Sequence, residues 1–127
     1  APRRGLTLVL GLSGEIMERD VTRFPNDENG DVLWRIAQRG ADLTEEREID
    51  FAVVFPAREA ALEFGVFALQ TEAKVSFSAY EDEEFPWQIY VHAVMEPTHS
   101  DISEFEAFLG ARAEQLGGRS DGWGFGS

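Results

Sequence analysis

Ile49-Asp50-Phe51-Ala52-Val53-Val54-Phe55-Pro56 decides the fold. Six of its eight residues are apolar. Phe51, Val53 and Phe55 fall on one face at the period of a strand, and Ala52 and Val54 fall on the other. A strand apolar on both sides belongs in the middle of a sheet. Pro56 ends it, because proline has no N–H for the next ladder bond. Ala57-Arg58-Glu59-Ala60-Ala61 is helix-forming and follows at once, so a helix should fold back over Phe51, Val53 and Phe55.

That helix is expected from about 57 to 71, with Ala60, Ala61, Phe64, Phe67 and Ala68 as its main apolar face. Leu62, Val66 and Leu69 make its other side apolar too. They call for cover, either from an earlier helix or from a second copy of the chain in a weak homodimer. Val75 to Tyr80 alternates as a half-buried strand, and Trp87 to Met95 alternates again, so the two form an antiparallel hairpin with Glu81-Asp82-Glu83-Glu84 at its tip. Thr98 and Asp101 have capping-box spacing. Ile102, Phe105, Leu109, Ala113 and Leu116 then mark the buried stripe of a long helix, which Gly117-Gly118 stops. Arg119 to Phe125 is a glycine-rich final strand. Trp123 in Asp121-Gly122-Trp123-Gly124 faces the helices, and the glycines allow close backbone approach at the sheet edge.

Upstream, Val32, Leu33, Ile36 and Ala37 predict a short helix over 31–39, with Gly40 as its C-terminal cap and Arg35 and Arg39 on its wet side. Phe24 to Gly30 reads as turn chemistry. Residues 1–28 read as an arm, an edge strand or loosely packed. Arg3-Arg4 before the run Leu6–Leu12 also has the outline of a secretion leader, without an Ala-x-Ala cleavage site. After the first helix the order is β-α-β-β-α-β. The expected class is therefore α+β and ferredoxin-like: a four-stranded antiparallel sheet over residues 29–127, two helices on one face, and an extra N-terminal helix. Phe51, Val53, Phe55, Phe64, Phe67, Val75, Phe77, Ile89, Val91, Phe105, Leu109 and Trp123 should form one core.

The chain of 127 residues carries 24 Asp and Glu against 11 Lys and Arg, a net charge of −13. Residues 59–127 hold −10 of it. Such a surface is repelled by phosphate backbones and anionic membranes and favours basic protein partners. There is no cysteine, hence no disulfide, thiolate nucleophile or cysteine-bound zinc, which fits a reducing, cytoplasmic setting. No apolar run reaches the ~20 residues of a membrane helix.

The only histidines are His92 and His99, and no local metal-binding or phosphate-binding motif is present. Ser76 or Ser78, His92 and a nearby acid can be assembled from alternate residues of neighbouring strands. Ser and His on the wet side of a half-buried strand need no catalytic role, so no catalytic residue, cofactor or metal ligand is assigned. A small-molecule or catalytic site on the open sheet face, using Tyr80, Tyr90, His92 and Ser76/Ser78, is the alternative. It would show as a closed pocket around His92.

Gly30-Asp31-x-Leu33, Gly40-x-Asp42-Leu43, Arg47-x-Ile49-Asp50-Phe51, Phe55-Pro56, Met95-x-Pro97-Thr98 with Ile102, and Asp121-Gly122-Trp123-Gly124 together resemble the regulator of ribonuclease E activity B family. The likeness covers about four fifths of the chain. It departs at Glu72-Ala73-Lys74, where a Gly-aromatic pair is usual, and it lacks the acidic C-terminal tail of some members. The resemblance implies a ferredoxin-related domain with no catalytic residues, acting as a protein inhibitor of ribonuclease E. The expected partner is a basic protein segment. The expected partner-binding residues are the acids Glu81, Asp82, Glu83, Glu84, Asp101, Glu104 and Glu106.

Overall fold

The computed structural model describes residues 8–10 and 16–126, with side chains from Glu18 onward. In chain order the elements are β1 (Leu8–Leu10), β2 (Ile16–Glu18), α1 (Glu28–Gln38), β3 (Arg47–Phe55), α2 (Arg58–Leu69), β4 (Lys74–Ala79), β5 (Trp87–Met95), α3 (His99–Gln115) and β6 (Arg119–Phe125). β1 and β2 pair antiparallel as a separate two-stranded sheet. Most of the leader-like run, from Arg3 to Gly14, lies outside the described residues.

The main sheet is antiparallel with the order β4-β5-β3-β6. β3 therefore lies inside the sheet, as its two apolar faces require. Ile49, Phe51, Val53 and Phe55 are buried under α2 and α3 with Phe64, Ile89, Val91, Ile102 and Leu109. Aromatic contacts join the layers: Phe51 meets Phe105 edge-on at 5.0 Å between centroids, and Phe55 meets Phe64 at 5.1 Å. Such pairs add to area burial. Ala52 and Val54, on the other side of β3, are buried as well but lie outside this cluster.

Several expectations need correction. Phe77 is 39% exposed and is not core. β4 is an edge strand mostly open to solvent, and Phe77 stacks on Trp87 at 5.6 Å at that margin. Leu62, Val66 and Leu69 are uncovered, at 40%, 61% and 57% exposure, because α1 packs against α3 and not over α2. Helix α1 begins at Glu28, inside the stretch read as a turn. Asp27 is its N-cap, and its carboxylate accepts the Gly30 N–H at 2.7 Å. Upstream of α1 the chain is packed down: Phe24 is buried against Trp34, and buried Arg19 donates to the Phe24 and Pro25 carbonyls and to Asp31.

Thr98 caps α3 by accepting the Asp101 N–H at 3.1 Å. The reciprocal half of the expected box is not made, since the Thr98 N–H bonds to the Glu96 carbonyl. At the other end, the Gly117 N–H bonds to Glu114 and the Gly118 N–H to Ala113, with Gly117 at φ +79°. This is a Schellman turn, whose left-handed residue strongly favours glycine. Gly122, at φ +98°, sits where β6 shifts register against β3. Its glycine answers that bulge. The close approach expected of Gly122 and Gly124 belongs instead to Gly118, which Phe55 and the Val54 carbonyl would leave no room to enlarge.

Candidate functional site

On the helix-free face of the sheet, where Ala52 and Val54 are buried, the part around Asp50 is polar and connected. Asp50 on β3 stands directly opposite His92 on β5, and Ser76 on β4 lies one step further out. His92 Nδ1 is 2.7 Å from Asp50 Oδ1, and His92 Nε2 is 2.7 Å from Ser76 Oγ. Glu48, two residues before Asp50 and hence on the same face, meets the Lys74 ammonium at 3.4 Å. Tyr80, just beyond β4, donates to Asp121 on β6 at 3.1 Å, which joins the two edge strands over this face. That bond, with the adjacent Asp121 charge, raises the Tyr80 hydroxyl above its ordinary value.

Connectivity alone does not make this hydroxyl–imidazole–carboxylate chain a hydrolytic centre. Acyl transfer also needs a substrate cavity and donors aimed at a developing oxyanion. The neighbouring cleft, about 340 Å³, is shallow and is lined by Asp50, Ala52, Tyr90 and residues 121–125. Ser76 and His92 do not line it. A catalytic reading requires a closed pocket around His92, and none of five well-formed cavities is lined by it. Ser78 is exposed and Tyr90 stacks on His92 at 6.2 Å.

A larger concavity lies on the opposite side, where α1, α3 and the β6 edge meet. It has a volume of about 790 Å³. Four acidic residues line it, Glu28, Glu106, Glu114 and Asp121, against one basic residue, Arg119; the Asp121 carboxylate itself is turned to Tyr80 on the other face. Along α3 it extends from Ser103 to Glu114, about 16 Å at the helical rise. Asn29 ties its walls together. The Asn29 amide donates to Ser103 Oγ at 3.0 Å and Glu106 Oε1 at 3.1 Å, and its carbonyl accepts Trp123 Nε1–H at 2.8 Å. Trp123 thus faces the helices, half-buried, as expected.

The expected partner-binding acids fall into two sets. Glu81, Asp82, Glu83 and Glu84 follow Ala79, which pairs with Trp87 opposite Phe55, at one end of the sheet. Asp101 and Glu104 lie beside Met95, which pairs with Arg47 at the other end. Nine-residue β3 separates the ends by about 27 Å. Glu106 alone belongs to the groove. Glu28, Glu114 and Asp121 were missed as groove residues, because nothing in their spacing shows that α1, α3 and β6 converge.

Electrostatics near the groove follow local hydrogen bonds. Asp27 is held below its usual range, first by the Gly30 N–H, then by His99 and Arg19; His99 Nε2 lies 2.8 Å from its carboxylate. Asp42 is lowered by the Thr44 hydroxyl and N–H. Arg35 and Arg39, expected on the wet side of α1, are exposed and share a cavity of about 670 Å³ with Arg47, whose guanidinium lies over the Phe125 ring at 3.9 Å.

A family model described as regulator of ribonuclease activity B matches residues 26–125. The chain belongs to this family. No curated protein and no solved structure matches it. The regulator of ribonuclease activity B family is one of regulators, not catalysts, and the matched span contains all three helices and the whole main sheet. Residues within the matched span do scaffold work here: Leu33, Ile49, Phe51, Phe55 and Ile102 are buried, Thr98 caps α3, and Gly122 forms the bulge. Among the described residues no helix is long and apolar enough to cross a membrane.

Proposed function

We propose that this protein is a non-catalytic inhibitor of ribonuclease E, acting in the bacterial cytoplasm by binding an arginine- and lysine-rich segment of that enzyme. The family match over residues 26–125, on a chain of net charge −13, carries the proposal. The strand order, with the first and third strands of the β-α-β-β-α-β unit innermost, supports the ferredoxin-like reading of the scaffold.

The groove between α1, α3 and β6 seats the segment. It runs between the two outlying acidic sets, so Glu81–Glu84 at one end and Asp101 and Glu104 at the other steer the partner toward it. Glu106 and Glu114 hold it once docked. Charges at the rim act mainly on encounter, and those in the groove on retention.

Surface plasmon resonance with immobilised ribonuclease E tests this. Binding should weaken steeply between ~0.05 and ~0.5 M salt, as the Debye length falls from roughly 14 to roughly 4 Å. Glu81, Asp82, Glu83 and Glu84 all changed to Gln should slow association several-fold. Glu106→Gln with Glu114→Gln should speed dissociation about tenfold or more, as expected for charges lost from the docked complex. Absence of binding at low salt overturns the proposal; wild-type rates in the groove variant overturn the groove.

A further inference from the structure

We propose that Glu48, Asp50 and His92 form a binding site for one divalent cation of the zinc kind, on the open face of the sheet. One ligand atom from each of the three residues lies within 4.8 Å of the others. The placement follows from the sheet. Glu48 and Asp50 alternate on one face of β3, and His92 is the cross-strand partner of Asp50. Two carboxylates and an imidazole suit a borderline cation better than magnesium or calcium, which prefer all-oxygen ligands. Three protein ligands leave a fourth, tetrahedral position to water.

The geometry needs side-chain shifts of up to about 1.5 Å, since ligand atoms now within 4.8 Å of one another must come to tetrahedral spacing. Tetrahedral bonds of ~2.0–2.1 Å place donor atoms about 3.3 Å apart. The 2.7 Å contact between His92 Nδ1 and Asp50 Oδ1 then opens by roughly 0.6 Å. All three residues are half-buried, with a solvent-facing margin in which to move. Gly126 supplies an independent feature. A Cβ there would stand 2.8 Å from Glu48 Oε2 and 3.1 Å from Asp50 Oδ1, so glycine keeps the approach to both carboxylates open.

Proton positions are consistent in both states. Without the cation, Nδ1–H donates to Asp50, and Nε2 accepts from the Ser76 hydroxyl. With the cation on Nδ1, the ring proton moves to Nε2 and donates to Ser76 Oγ. Ser76 thus serves as an outer partner that fixes the ring, whichever tautomer is present. Lys74, which now faces Glu48 with its side chain 82% exposed, swings into solvent when the cation enters.

Titration calorimetry of the full chain with Zn²⁺ alone, and with Mg²⁺ for comparison, tests the site. One saturable Zn²⁺ site is expected, with Mg²⁺ weaker. Affinity should fall about tenfold or more in His92→Ala and in the Glu48→Gln/Asp50→Asn pair, and should be unchanged in His99→Ala. Melting curves of each variant report its fold. In the wild-type chain, Zn²⁺ should move the His92 ring nitrogen resonances ahead of those of His99, a readout independent of any variant. No saturable Zn²⁺ binding, wild-type affinity in the Glu48/Asp50 pair, or primary perturbation of His99 would overturn the assignment.

Discussion

Ile49, Phe51, Val53 and Phe55 look from β3 onto two helices, while Glu48 and Asp50, from the same strand, look onto none. The first set is buried with no polar partner required. The second is held by an imidazole from the adjacent β5 and an ammonium from β4 beyond it. One backbone thus supports two regimes. On the helix side, removing a methylene leaves a void that rigid neighbours fill only in part. On the open side, solvent can replace a lost partner, so side chains there are free to be chosen for what they bind.

Phe51→Ala should have the largest effect on stability, about 3–5 kcal/mol, read from a urea titration. A loss below about 1 kcal/mol would remove the distinction between the two faces, since this ring is fully enclosed against Phe105.

An intermediate effect, about 1 kcal/mol, is expected for Asp27→Ala, a capping contact off both faces. The sign of its pH dependence is fixed. The folded chain holds Asp27 below the ordinary aspartate value of 3.8, so the unfolded chain takes up the proton first. The stabilisation is present above 3.8 and is lost as pH falls through the lower folded value. Melting curves should therefore show wild type and variant converging in acid and parallel near neutrality. A constant gap down to the most acidic pH would contradict this.

His92→Ala should cost least, under about 0.5 kcal/mol without added metal, because both of its partners can turn to water. A loss approaching that of Phe51→Ala would make the open face structural and would sharpen the comparison in the opposite direction.

The helix side was legible because burial imposes a period. Phe51, Val53 and Phe55 repeat at two, and Ile102, Leu109 and Ala113 repeat at helical spacing. Phe77 has the right period but stands beside an open margin, and period alone does not reveal where a sheet ends. The start of α1 was hidden because Asn29-Gly30 are turn formers by composition; the cap that overrides them is visible only once Asp27 is seen to accept the Gly30 N–H. Asp50 and His92 were each apparent, but their pairing depends on strand register across 42 residues. Asn29 gave no signal at all, since it acts on Ser103, Glu106 and Trp123, each more than 70 residues away.

Strand β6 is the last element of the main sheet, and its Phe125 pairs with Ile49. During synthesis, one side of the strand on which the core is built has no neighbour until nearly the whole domain has been made. Those ladder groups and the flank of the growing core stay available to any other extended chain in the meantime. Nascent chains stalled before Arg119 would offer a ready template for cross-pairing, and completion of the seven residues of β6 closes it.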